Sequence, residues 1–155
     1  KHIDYRRNMK QLGLTSPAFG NNEVIPIKYT GDGDDVNPPF LVEGIPEEAK
    51  SLALIFDDPD AVGGTFDHWI VWDIPASTNE IKENSVPGTE GLNSGHEIGY
   101  TGPYPPPGKV HRYTFRIYAL DTKLGLNQKS TKKNLQEAMK NHILAEGKLI
   151  GLFNR

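Results

Sequence analysis

The chain has 155 residues, with 17 Lys and Arg against 20 Asp and Glu, a net charge of −3 and no cysteine. That length can bury a core without staples, and the missing thiols exclude disulfides, zinc–thiolate sites and thiol catalysis. No basic run is dense enough for a nucleic-acid footprint and no apolar stretch approaches the ~20 residues of a membrane span, so neither nucleic acid nor a transmembrane segment is expected.

No signal-peptide core is present, and the expected location is cytoplasmic. Sixteen glycines and twelve prolines imply many short turns, which suits a mostly β plan better than a helical one. Residues 1–8 (KHIDYRRN) are charged and unpatterned and read as an N-terminal extension; residues 9–155 read as a single domain. Leu12 to Phe19 is a short edge element interrupted by Pro17, and Val24 to Tyr29 is another short piece. Gly31 to Pro39 (GDGDDVNPP) is an acidic loop. Asp32 and Asp34 match the first two positions of a calcium loop, but Val36 occupies the third and no distal Glu follows in register, so the reading is a solvated turn.

Ser51 to Phe56 (SLALIF) is the first strong strand, apolar on both faces and therefore central. It runs into Asp57-Asp58-Pro59-Asp60. A period of two places Asp58 on the Leu52, Leu54, Phe56 face and Asp57 with Ala53 and Ile55. Locally Asp58 reads as an Asx turn before proline, and a carboxylate at the end of a buried strand needs a partner. Asp67 to Ile74 is the next strand, with His68, Ile70 and Trp72 on one side and Trp69, Val71 and Asp73 on the other. A lone histidine there is ordinarily structural. Ala76 to Glu97 is a long polar connection with one brief strand near Ile81.

Gly102 to Leu120 organises the rest. Pro103, Pro105, Pro106 and Pro107 make its first half a stiff loop hinged by Gly102 and Gly108. From His111 a strand begins, with His111, Tyr113, Phe115, Ile117 and Ala119 on one face and Arg112, Thr114, Arg116 and Tyr118 on the other. Further on, Ser130 or Thr131 caps a helix through His142 or Leu144, Gly147 fits its stop, and Leu149 to Phe153 is a last short strand.

Asp58, His68 and the His111/Tyr113 pair each end a strand beside a Pro- or Gly-rich loop, which proposes one polar cluster at the mouth of a β scaffold. Gly102 adds a backbone N–H that a ligand oxygen could approach. Two imidazoles, a phenol and an amide suit a phosphate or carboxylate, while Asp58 would orient an imidazole or hold a cationic head group.

At these residues the chain resembles the phosphatidylethanolamine-binding protein family, in its bacterial and archaeal Raf kinase inhibitor-like branch. The matching stretches are LTSPAF from Leu14, IPIKYTGDG from Ile25, NPP from Asn37, DDPDA from Asp57, HW at His68 and GYTGPYPPPGKVHRYTFRIYALD from Gly99. The resemblance implies a β-sandwich of two antiparallel sheets with one C-terminal helix and short peripheral helical turns. It also implies a small anion pocket lined by Asp58, His68, Gly102, His111 and Tyr113, with Asp60 and Pro103 adjacent. One departure stands out: Val62 occupies the place of a proline that is often cis in the family. A non-proline cis bond costs ~3 kcal/mol, so a trans, slightly reshaped loop is expected.

The expected function is non-enzymatic binding of a phospholipid head group or other phosphorylated or carboxylated ligand, such as phosphate or a phosphoethanolamine-like group. No cofactor is expected. The resemblance associates the family with kinase and protease partners. The rival is a hydrolase that uses Asp58, His68 and His111 as metal ligands or as an acid/base pair, although neither H-E-x-x-H nor G-x-S-x-G is present. A third reading makes Asp58, His111 and Tyr113 a satisfied buried network.

Overall fold

A computed structural model describes residues 10–155; the extension expected at residues 1–8 lies outside them. In chain order the strands are β1 (Lys10–Gln11), β2 (Gly13–Thr15), β3 (Glu23–Val24), β4 (Phe40–Glu43), β5 (Ser51–Asp58), β6 (Phe66–Pro75), β7 (Glu80–Ile81), β8 (Thr89–Glu90), β9 (His111–Leu120) and β10 (Ile143–Phe153). A 3₁₀ turn covers Ile27–Tyr29, and helix α1 spans Lys132–Met139. The larger sheet runs β1-β10-β9-β5-β6-β8, with β3 also on β10, and the smaller runs β2-β4-β7. This is the expected plan of two sheets and one helix. The long strands pair antiparallel, whereas β1 and β3 join β10 in parallel, so the outer edge of the larger sheet is mixed.

All eight residues of β5 are buried, as a central strand apolar on both faces requires. Leu52, Leu54 and Phe56 pack with Tyr113, Phe115 and Ile117 of β9 and with Leu14, Phe40, Val42 and Ile81 of the smaller sheet. Ala53 and Ile55 face the other way, with Ile70, Trp72 and Tyr118, beneath Leu135 and Met139 of α1. The domain therefore has three layers: small sheet, large sheet and helix. Thr131 caps α1, its hydroxyl accepting from the Asn134 N–H while the Asn134 side chain accepts from the Thr131 N–H.

The C-terminal third departs from expectation. The helix stops at Met139, Asn141 takes a left-handed φ of 68°, and the chain enters an eleven-residue strand rather than a short tail. Gly147 is no helix stop. It pairs with Ile117 inside β10, where a Cβ would lie 2.4 Å from the Leu12 carbonyl oxygen. Ala145, Gly147, Leu149, Gly151 and Phe153 do alternate inward, but two of the five inward positions are glycines. The period of two is hidden because the backbone of Leu12, between β1 and β2, and the side chains of Phe19 and Ile25 take the space where apolar side chains would otherwise advertise a strand. β4 and β8 were not expected either; each is short and lies within sequence dominated by turn residues.

Two bulges re-aim β6. Leu52 opposes Ile74 but Leu54 opposes Val71, so β6 carries one extra residue there, and Asp73 sits at φ 51°. The Asp73 carboxylate accepts from the amides of Leu124 and Gly125 at 2.7 and 2.9 Å, which anchors the loop leading to α1. The second bulge builds the site.

Candidate functional site

Phe56 opposes Trp69 and Asp57 opposes Asp67, which leaves His68 as the extra residue of β6. Strict alternation placed His68 with Ile70 and Trp72. In the fold those two lie under the helix, while His68 stacks on Phe56 with centroids 5.0 Å apart and meets the edge of Tyr113 at 5.5 Å. The bulge thus carries His68 to the same side of the sheet as His111 and Tyr113.

The end of β5 splits two neighbouring carboxylates. Asp57 turns toward the helix, where Lys132 Nζ lies 3.1 Å from it and 2.6 Å from Asp67. Asp58, 3% exposed, turns the other way. Its Oδ1 accepts from the Asp60 N–H at 2.8 Å, the expected Asx turn, and its Oδ2 accepts from His111 Nδ1 at 2.7 Å. One carboxylate closes the turn and orients an imidazole at once.

His68 is fixed in the same manner. Its Nδ1 donates to the Thr101 carbonyl at 2.7 Å, and the Thr101 N–H returns a bond to the His68 carbonyl at 3.1 Å. Burial pushes the His68 imidazole below its ordinary 6.5, against the opposing pull of the Thr101 carbonyl and nearby carboxylates, so the ring is neutral near neutrality. With Nδ1 engaged in both rings, Nε2 of each is the nitrogen left without a protein partner among the described residues. Burial, with Asp58 close by, also raises the Tyr113 hydroxyl well above its usual range, which keeps it protonated.

These side chains open on a cleft of about 290 Å³. Asp58, His68, Gly102, His111 and Tyr113 all line it, together with Thr101. The rest of its lining is apolar: Ala61, Val62, Phe66, Tyr104, Pro105 and Pro106. The wall residues were not proposed from sequence, although the stiff loop that carries Tyr104 to Pro106 was the available signal. No peptide bond among the described residues is cis, so the Ala61–Val62 bond is trans, and Val62 stands 86% exposed at the rim.

Gly102 lines the cleft for a different reason from the one expected. Its N–H donates to Asp35 Oδ1 at 2.6 Å and so is already committed to the protein. A Cβ there would meet the Tyr29 carbonyl oxygen at 2.3 Å. Glycine is needed at 102 so that two loops can approach, and Asp35, 67 residues distant, supports the site without any local sequence signal.

Asp60 and Pro103 stand behind the lining. The Pro103 carbonyl accepts from the Gly31 N–H at 2.9 Å. Asp60 accepts from the Arg112 backbone N–H at 2.9 Å and from its Nε and Nη2 at 3.0 and 2.9 Å. The Arg112 guanidinium holds the Asp60 carboxyl at about 2, below the usual carboxylate range. A depressed carboxylate contributes stability above its unfolded pKa and loses it as pH falls through about 2. Because the Arg112 side chain is 65% exposed, the stabilisation is small. Arg112→Ala is expected to raise Asp60 toward the ordinary carboxylate range in an NMR titration, the backbone N–H at residue 112 still holding it down in part, while barely moving the melting temperature or the affinity for anions.

The arrangement defines a β-sandwich protein with a small cleft, polar at the floor and apolar at the walls. The description "Phosphatidylethanolamine-binding protein" matches residues 15–154, and the chain belongs to that family. It is 49% identical to a UPF0098 protein of Pyrococcus abyssi, across 94% of this chain and 87% of that one. A UPF0098 protein of Methanothermobacter thermautotrophicus is 45% identical, covering 93% and 99% of the two chains. Among solved structures, the phosphatidylethanolamine-binding protein homolog CT736 of Chlamydia trachomatis superposes with a TM-score of 0.90 at 39% identity, covering 94% of this chain and 99% of that one. YbcL of E. coli, described as a new member of the mammalian family, gives 0.86 at 25% identity with the same coverage. Among the described residues no helix is long and apolar enough to cross a membrane.

Proposed function

We propose that the cleft binds the anionic end of a small ligand, a phosphate or carboxylate group such as a phospholipid head group carries, and that the protein acts by binding rather than catalysis. The observation that supports this most directly is the pair of imidazoles anchored at Nδ1 and open at Nε2, beside a protonated phenol. All three groups can donate to one anion once the rings are protonated. In this reading the protein is cytoplasmic, and occupancy of the cleft modulates a partner such as a kinase or protease, the classes with which the family resemblance is associated.

The hydrolytic alternative used Asp58 as a third metal ligand or in an acid/base pair with a histidine. Both oxygens of Asp58 are engaged, one by the Asp60 amide and the other by His111, so the carboxylate serves as an orienting group. That geometry favours the binding reading over a metal site.

The test follows the histidine ring signals by NMR during titration with inorganic phosphate and phosphoethanolamine. Saturable shifts confined to His68 and His111, with His96 and His142 silent, are expected; silence of the first two at millimolar ligand would overturn the proposal. A pH series with sulfate supplies the sign. His68 is buried as the neutral ring, so its contribution to stability is present above 6.5 and is lost as pH falls through its lower folded value. A bound anion favours the protonated ring, so sulfate should bind more tightly as pH falls below 6.5 and should raise the melting temperature most there.

A further inference from the structure

The outer wall of the cleft is held from outside. Tyr104 lines the cleft yet is 58% exposed, so burial alone does not seat its ring. The guanidinium carbon of Arg155 lies 4.0 Å over the centre of that ring. Arg155 Nε donates to Asp32 Oδ2 at 3.1 Å, and the Arg155 carbonyl accepts from the Gly108 N–H at 3.2 Å. On the other flank, a Cβ on Gly31 would fall 2.7 Å from Tyr104 Cδ1, and the Gly31 N–H holds the Pro103 carbonyl. The proline loop is strapped at both ends, and the ring has its seat because residue 31 has no side chain.

The floor of the cleft is polar and the walls are apolar, and 290 Å³ exceeds what a lone phosphate or carboxylate fills. The space beyond the floor, bounded by Tyr104, suits the organic part of a ligand. We infer that Arg155, braced by Asp32, is a positioning residue that sets the selectivity of the cleft: it holds Tyr104 as a wall against the organic part of an anionic ligand. The selectivity role rests on the anion-binding reading; the strap itself does not.

Two measurements separate them. In the ligand-free protein, amide exchange at Gly31 reports whether the loop stays docked, because that N–H is the inner tie. Arg155→Ala should speed it by about tenfold and Arg155→Lys by much less. In the second, dissociation constants are compared for inorganic phosphate, which reaches only the floor, and phenyl phosphate, which reaches the wall. Arg155→Ala should leave the first within about twofold and weaken the second by about fivefold, with Arg155→Lys restoring most of the difference. Unchanged Gly31 exchange would overturn the strap, and equal weakening of both ligands would overturn the selectivity role. Failure of the unaltered protein to bind either ligand would overturn the anion-binding reading and the selectivity role together, while the exchange comparison would still decide the strap.

Discussion

Adding one methyl group at Gly102 should destabilise the protein by about 3 kcal/mol or more. The new Cβ would sit 2.3 Å from the Tyr29 carbonyl oxygen, 2.6 Å from Asp35 Oδ1 and 3.0 Å from Thr30 Cα. Two of those atoms are backbone and cannot swing aside as a side chain tip can. Relief requires the 29–35 loop to retreat, and retreat breaks the bond from the Gly102 N–H to Asp35. For a chain of this length the loss corresponds to a melting temperature lower by about 6–12 °C. The next residue back is Thr101, whose carbonyl orients His68, so the displaced loop should also weaken anion binding in whatever fraction remains folded. A Gly102→Ala variant that melts within a degree of the unaltered protein would show that the two loops are not packed as described.

His111→Ala should reduce both affinity and stability. If Nε2 of His111 makes a charge-assisted bond to the ligand, its loss is worth about 1–3 kcal/mol, or roughly fivefold to 150-fold in affinity. The structure adds a cost in stability. Asp58 is 3% exposed and accepts from His111, so the alanine strands a buried carboxylate oxygen, at about 2–4 kcal/mol. Asp58→Asn separates the two effects. In an Asp58→Asn/His111→Ala double variant the uncharged amide no longer needs the partner, so the double variant should be more stable than the sum of the single losses predicts, by about 1–2 kcal/mol. His68→Ala is the comparison: it should cost similar affinity and less stability, because only the Thr101 carbonyl loses a donor. Strict additivity in stability across the cycle would mean that Asp58 and His111 do not depend on one another.

Much of the site was legible because β5 and β9 obey simple alternation up to their mouths. Asp58 follows Leu52, Leu54 and Phe56, and His111 leads Tyr113, Phe115 and Ile117, so a period of two alone places the carboxylate and the imidazole over one core. His68 reaches the cleft on the opposite phase to the one that alternation gives. Nothing between Asp67 and Trp72 announces a bulge; the extra residue is visible only once Phe56 is seen opposite Trp69 and Asp57 opposite Asp67. Gly102 was likewise named for an open amide, which Asp35 in fact occupies.

The amino-acid sequence by itself determined the mostly β architecture, the central strand, the faces of β9, the cap of α1 and the chemical types gathered at the site. Each of these is written in neighbours two to four residues apart, where alternation, proline and capping side chains act. Tertiary structure alone decided the bulge at His68, the approach of Asp35 to Gly102, the seat of Tyr104 between Gly31 and Arg155, and the conversion of the last eleven-residue run into a paired strand rather than a helix end. All four depend on partners ten or more residues away in the chain. Their signals are glycines and single polar atoms, whose meaning comes from what packs against them.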